Sequence, residues 1–303
     1  MRNTTRLKQI LGRRDAVLVP GAPNAMFARI VEKQGFEAIY VTGAGVANMH
    51  LGAPDIGLTT VTEVAEITAA ISDATTAPLI VDADTGFGNA LNVVRTVRLL
   101  ERAGAAGLQM EDQVFPKKCG HFNGKEVIPR LEMVEKIRAA VDTRRDGDLQ
   151  IIARTDARAV EGFEQALERA HAYIEAGADA IFVEAPVSVE ELAAITTRLP
   201  APQIANIVYG GKTPEIGRER LKEMGFSMVL YANLVLQATI RGANQVLSHL
   251  NAHGGLAGGE HMLASFAERQ ETVDKPQWDV LEERYRVEHP MLHPGTDMAA
   301  TRG

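Results

Sequence analysis

Eight times along this chain of 303 residues a short apolar run gives way to a stretch with helical periodicity. The apolar runs cover residues 16–20, 38–43, 79–84, 107–111, 150–156, 180–184, 203–208 and 228–233. The helical patterns cover 24–34, 61–74, 90–103, 131–144, 163–176, 189–198, 215–224 and 234–250. Runs that are apolar on both faces and alternate with helices imply parallel strands buried between layers. Eight such units predict a closed (β/α)₈ TIM-type barrel rather than an open doubly wound sheet. Glycine punctuates the helix ends, at Gln34-Gly35, Ala103-Gly104, Ala176-Gly177 and Met224-Gly225. There it supplies the left-handed residue that stops a helix.

Two segments fall outside the repeat. Residues 44–60 form a Gly- and Pro-rich insertion after the second strand, and long loops at that end of a barrel usually serve the active site. Beyond residue 253 lie helical pieces near 262–269 and 278–286, joined through Asp274-Lys275-Pro276. The expected organisation is therefore a catalytic barrel over 1–253 and a helical extension over 254–288, packed on the barrel or on a partner subunit. A disordered tail is expected over 289–303. The first 15 residues are basic but lack the continuous apolar core of a signal peptide. They read as an amphipathic helix with Leu7, Ile10 and Leu11 on one side.

Composition excludes several classes. A net charge of -7 gives no footprint for nucleic acid or an anionic membrane. No apolar run approaches the ~20 residues of a membrane span. A single cysteine rules out an intrachain disulfide or a cysteine-built zinc site, which fits a reducing cytoplasm. That cysteine, Cys119, sits in Lys117-Lys118-Cys119-Gly120-His121. Cationic neighbours favour the thiolate, and glycine lets backbone approach a ligand. A buried, inert thiol is the bland alternative. Two adjacent lysines argue against it, because such a pair is hard to bury.

The strand ends gather the polar groups. Alternate residues share a strand face, which pairs Tyr40 with Thr42, Asp82 with Asp84, Gln109 with Glu111, Arg154 with Asp156, and Phe182 with Glu184. Asn206 stands at the end of the seventh run. Barrel enzymes build their sites at this C-terminal rim. Carboxylates that converge there repel and need a cation. All-oxygen ligands suit Mg²⁺, or Mn²⁺, better than zinc. Asp82 and Asp84 could instead cap the helix after Asn89, but Val81-Asp82-Ala83-Asp84 begins before the loop does. Arg154 could pair with a rim carboxylate or bind a substrate one. Glu184 and Asn206 could merely cap loops. Gly86-Phe87-Gly88 lacks the third glycine of a dinucleotide loop. Gly210-Gly211-Lys212-Thr213 lacks phosphate-loop spacing and reads as a flexible lid.

Together, Asp82-Ala83-Asp84-Thr85-Gly86-Phe87-Gly88-Asn89, Glu111-Asp112-Gln113, the Lys-Lys-Cys-Gly-His run and Ala153-Arg154-Thr155-Asp156 resemble the isocitrate lyase/phosphoenolpyruvate mutase superfamily. Within it, the chain looks most like 2-methylisocitrate lyases, 2,3-dimethylmalate lyases and carboxyphosphonoenolpyruvate mutases. The resemblance implies a barrel whose eighth helix swaps onto a partner, in a homotetramer. It implies Mg²⁺ on Asp84, with Asp55, Asp82 and Glu111 nearby or acting through water. It assigns Thr42, Gly43 and Ala44 to the carboxylate of a 2-oxo acid. Tyr40 and Arg154 fall near the substrate oxygens. Cys119 falls on a gating loop as general acid, with Lys117, Gly120 and His121 around it. Glu184 and Asn206 fall at further rim positions. Gln237 stands near where lyases acting on tricarboxylates carry an arginine. A neutral amide cannot form a bidentate charged pair with a third carboxylate, which favours a smaller diacid.

The implied reaction is Mg²⁺-dependent cleavage of a 2-hydroxy di- or tricarboxylate to pyruvate or another 2-oxo acid. Cys119 would protonate the departing carbanion, and Tyr40 or Glu111 would take the hydroxyl proton. Such chemistry needs a dry site, so the loop around Gly120 is expected to move. A phosphonomutase would use the same parts. A non-catalytic barrel that only binds ligand has no need of Asp82, Asp84, Glu111 and Cys119 together.

Overall fold

The computed structural model describes residues 1–120 and 124–287. Eight parallel strands form the core: β1 (Val17–Ala22), β2 (Ile39–Val41), β3 (Leu79–Asp82), β4 (Ala105–Glu111), β5 (Gln150–Thr155), β6 (Ala180–Val183), β7 (Ile204–Asn206) and β8 (Met228–Tyr231). They run in the order β6-β5-β4-β3-β2-β1-β8-β7. A single parallel bridge, Ile181 to Gln203, brings the two ends together. The result is the expected (β/α)₈ TIM-type barrel, nearly closed. Its main helices are α1 (Asn3–Arg13), α2 (Ala25–Lys33), α3 (Gly43–Val46), α4 (Val61–Ala74), α5 (Ala90–Arg102), α6 (Arg130–Thr143), α7 (Ala157–Val160), α8 (Phe163–Glu175), α9 (Val189–Arg198), α10 (Arg218–Glu223) and α11 (Leu234–His253).

Alternation along each strand divides the core in two. Ile39, Val41, Val81, Leu108, Ile151, Ile181 and Val229 face out and meet the helices. Val19, Tyr40, Ile80, Ile152, Phe182, Ile204 and Leu230 face in and fill the barrel. The amphipathic α1 closes the N-terminal end, with Leu7, Ile10 and Leu11 packed into that inner cluster. Gly107 makes room for it, since a Cβ there would lie 2.7 Å from Leu7 Cδ2.

Several boundaries differ from the sequence expectation, each for a local reason. The second strand stops at Val41 because the Thr42 side chain accepts a hydrogen bond from Gly45 N and caps α3. The 44–60 insertion is therefore not loop throughout: α3 runs into a π-helical turn, Ala47–Leu51, ended by Gly52 at φ +63°. The third strand stops at Asp82, because Asp84 takes a left-handed φ of +46° that no strand allows. The helix expected over 215–224 begins only at Arg218, after Gly217 at φ +79°.

The chain divides into two compact units, Met1–Met262 and the residues from Leu263. In the second, α12 (Phe266–Thr272) opens with a Ser265–Glu268 capping box, and α13 (Lys275–Arg284) carries proline in its first turn. The expected tail over 289–303 lies outside the described residues. No helix among the described residues is long and apolar enough to cross a membrane.

Candidate active site

On four of the strands the inward residue at the C-terminal end is polar where the one below it is apolar. Asp82 follows Ile80, Arg154 follows Ile152, Glu184 follows Phe182 and Asn206 follows Ile204. Register sets these ends side by side, pairing Glu111 with Arg154 across β4 and β5. The cap alternative for Asp82 and Asp84 fails, because Asn89 caps α5 with its own capping box. Instead Asp82 accepts from Asp84 N at 3.1 Å and from Gly43 N at 3.3 Å. A Cβ on Gly43 would stand 2.8 Å from Asp82 Oδ2 and 3.3 Å from Asp84 Oδ1. Only glycine lets the start of α3 press onto that carboxylate pair.

The first lysine of the Lys117-Lys118 pair corrects an expectation. Lys117 is buried, 3% exposed, because Asp55 Oδ1 lies 2.5 Å and Asp84 Oδ1 3.0 Å from its Nζ. Burial opposes its charge, yet the Asp84, Glu111, Asp82 and Asp55 carboxylates outweigh it and raise the ammonium well above an ordinary lysine. Lys118 points away and donates to Gly124 O at 2.6 Å. The difficulty of burying Lys-Lys thus applies to one of the pair only.

Arg154 is the second cationic centre. Its guanidinium reaches Asp156 through Nε at 2.9 Å and Nη2 at 3.1 Å, and its Nη1 lies 3.1 Å from Glu111 Oε2. Glu184 Oε2 is 3.4 Å from Nε, and the Phe182 ring lies 5.2 Å below the guanidinium. Asn206 Nδ2 donates to Glu184 Oε2 at 3.4 Å. Tyr40 OH donates to Gln109 Oε1 at 2.5 Å. Burial, then the Asp82 carboxylate, raises that phenol well above its ordinary range. Burial likewise raises Glu111 well above an ordinary carboxyl, and neither of its oxygens has a hydrogen-bond partner. Asp84 is raised to about 6, first by burial, with Lys117 opposing.

Cys119 and Gly120 lie over this ring. They line a cavity of about 40 Å³ together with Tyr40, Thr42, Ala44, Asp55, Asp82, Arg154, Phe182, Glu184, Asn206, Val208, Leu230, Ala232 and Asn233. A Cβ on Gly120 would fall 2.4 Å from Arg154 Nη2 and 2.7 Å from Glu184 Cδ, so the thiol loop lies directly on the arginine. The structure thus brings together every expected site residue among the described ones. Lys117, Asp84 and Glu111 join through contacts to the ring, and Gly43 through Asp82. His121 lies outside the described residues. Gln237 does not line the cavity; its amide is 3.5 Å from Tyr209 O. Residues 210–213, read as a lid, do not line it either, and Thr213 is buried.

Comparison with known proteins decides the family. Residues 7–251 match the model described as phosphoenolpyruvate phosphomutase. The chain belongs to this family. Within the phosphomutase family it is 42% identical over 289 residues to a 2,3-dimethylmalate lyase of Eubacterium barkeri, covering 95% of this chain and 98% of that enzyme. It is 48% identical over 248 residues to a 2-methylisocitrate lyase of Aeropyrum pernix, covering 82% and 80%. Among solved structures, a phosphonopyruvate hydrolase complexed with oxalate and Mg²⁺ superposes with a TM-score of 0.85 at 29% identity, covering 94% and 99%.

Sequence reasoning missed part of the phosphomutase-family site. Asp112 is fully buried under the rim, where it accepts from Thr155 Oγ1, Tyr173 OH and Asp156 N, with bond lengths of 2.7, 2.7 and 2.8 Å. Lys125, also buried, donates to Asp156 Oδ1 at 2.6 Å and to the carbonyl of Gly120. Neither sits at a strand position whose periodicity announces it. Asn233, 3.3 Å from Thr42 Oγ1, also lines the cavity.

Proposed function

We propose that this chain is a carbon–carbon lyase of the superfamily, cleaving a branched 2-hydroxy dicarboxylate or tricarboxylate of the 2,3-dimethylmalate or 2-methylisocitrate type to pyruvate or another 2-oxo acid. The relatives named above support the lyase class. The observation that carries the substrate class is the lining of the cavity. Its one described arginine sits beside an apolar wall of Phe182, Val208, Leu230 and Ala232, which suits a carboxylate carried next to methyl or methylene groups.

The residues fit a hard divalent cation. Asp84 Oδ1 and Glu111 Oε2 are buried oxygens facing only the cations Lys117 and Arg154, and Glu111 Oε1 is buried without a hydrogen-bond partner. The site sets six carboxylates (Asp55, Asp82, Asp84, Glu111, Asp156 and Glu184) against Lys117, Lys125 and Arg154. Among the described residues no three His, Cys, Asp or Glu side chains already stand in metal-binding geometry, because Lys117 holds Asp55 and Asp84. Asp84 would hold Mg²⁺, with Asp55, Asp82 and Glu111 around it. When bound, the ion supplies charge that eases loss of the hydroxyl proton and steadies the 2-oxo acid oxygens.

The chain's own residues do the rest. Arg154 orients the substrate carboxylate. Tyr40 is a poor base, held as a phenol that donates to Gln109. Glu111, whose Oε1 has no hydrogen-bond partner, is the better acceptor for the hydroxyl proton. Loss of that proton forms the carbonyl, and the C2–C3 bond breaks. The electron pair goes to C3, where the neighbouring carboxylate spreads it. The Cys119 thiol returns a proton to C3 in a mouth that the loop has closed to water.

The test is a panel of malate, 2,3-dimethylmalate and 2-methylisocitrate with Mg²⁺, following 2-oxo acid release. Release from a branched member, abolished by EDTA, is the expected result. Cys119→Ala should cut kcat by at least about a hundredfold while pyruvate binding, read by calorimetry, persists. Full rate in excess EDTA removes the metal, and normal turnover in that variant removes the acid. Rearrangement of a phosphonate without release of a 2-oxo acid would make the chain a phosphonomutase.

A further inference from the structure

Lys125 is a buried cation that the chemistry above leaves unused. Its ammonium makes two bonds of different kinds. One goes to Asp156 Oδ1, an oxygen that also accepts from Arg154 Nη2. The other goes to the main-chain carbonyl of Gly120, one residue after the thiol. Asp156 already has a charged partner in Arg154, through two hydrogen bonds. Arg154 is shared with Glu111 and Glu184, so Lys125 helps to neutralise Asp156, and burying such a cation is costly unless every bond it makes is used. The bond to Gly120 is the one with a consequence beyond the barrel wall. It ties the peptide after Cys119 to the pair that orients the substrate.

We propose that Lys125 is a positioning residue: through Asp156 it fastens the thiol loop to Arg154, so that Cys119 sits above the substrate only when Arg154 is in its working place. The proposal rests on the reading of Cys119 as the proton donor. Gly120 is the matching half of the device. Having no side chain, it lets the loop backbone reach Arg154, Glu184 and the lysine together. A lysine serving only to stabilise the fold would leave the thiol's accessibility and the split between kcat and KM untouched.

Cys119 is the only thiol in the chain, so alkylation by iodoacetamide reports on this loop alone. In ligand-free Lys125→Met we expect alkylation at least about tenfold faster than in wild type. The kcat should fall at least about tenfold with KM held within about threefold. Lys125→Arg, which keeps the charge and the donors, should restore most of both. Alkylation within about twofold of wild type in Lys125→Met overturns the proposal, as does a fall in kcat that the arginine does not mend. If the methionine variant does not fold, Lys125→Gln, which retains an amide donor, is read by the same rate and the same limits. Alkylation needs no substrate, so the two readings fail separately. A wild type that cleaves nothing, beside a thiol freed by Lys125→Met, ends the lyase reading alone. Normal turnover beside an unchanged thiol ends the positioning role alone.

Discussion

At Gly120 the backbone of the thiol loop presses on Arg154 and Glu184, and a methyl group there would overlap the guanidinium. Arg154 cannot easily yield, since Asp156 and Glu111 hold it from two sides. Gly120→Ala is therefore expected to lower kcat/KM at least about tenfold, roughly 1.4 kcal/mol in the barrier, with a melting temperature close to wild type. Steady-state kinetics and a thermal scan on the same preparation check both halves. Asp82, Glu111 and Arg154 were legible in the sequence because period-two alternation puts them at the polar end of buried strands, whereas Asp84 was reached by carrying that alternation past the strand's real end. Lys125 was not. In Gly124-Lys125-Glu126 it reads as an ordinary surface charge, and only the fold shows that the loop returns it to Asp156. Lys117 was legible as a cationic neighbour of the thiol but misjudged as hard to bury, because its partners lie 62 and 33 residues earlier in the chain.

Among the elements, α1 shows how surface charge can dock an apolar face. Arg2 lies 3.0 Å from Asp146 and Lys8 lies 2.8 Å from Asp148. Thr4 and Thr5 donate to the same two carboxylates, each at 2.7 Å. The hydrogen bond from Lys8, then that from Thr5, holds the Asp148 carboxyl below its usual range. Burial works against Asp146, but the Asp148 amide and Thr4 still leave it lowered. A carboxyl depressed in the folded state stabilises above its unfolded pKa and loses that contribution as pH falls through its folded one. Protection from amide exchange across Asn3–Arg13, relative to the unfolded-chain rate at the same pH, should therefore fall below about pH 4, before that of the barrel strands. Asp148→Asn should show the faster exchange already at neutral pH. The helix itself was readable from Leu7, Ile10 and Leu11. Its place under the barrel was not, because nothing local says which apolar surface it will cover. Helix and strand limits were read to within a few residues, and the misses fell where a cap or a left-handed residue cuts an apolar run short, at Thr42, Asp84 and Gly217.

On the scale of the whole molecule, the ring of strands was legible because eight buried parallel runs have few ways to hide both faces. The assembly state was only an expectation. The long α11 leaves Leu234, Ile240, Leu247 and Leu250 between 42% and 60% exposed, and within the second unit Phe266, Trp278 and Tyr285 are exposed by 61% to 73%. Apolar surface on this scale calls for a partner. Light scattering should return a mass near four times the 32.8 kDa chain. Ile240→Glu with Leu247→Glu should lower it, and a monomeric wild type would refute the tetramer. One feature of the barrel also orders the traffic through it. With α1 packed into the N-terminal end of the barrel, the cavity lies toward the C-terminal rim, and Cys119 and Gly120 line it there. Whatever enters deepest leaves last. On the lyase reading proposed above, the fragment nearer the thiol is expected to leave before the 2-oxo acid against the arginine, and the reverse, bond-forming run to load in the opposite sequence.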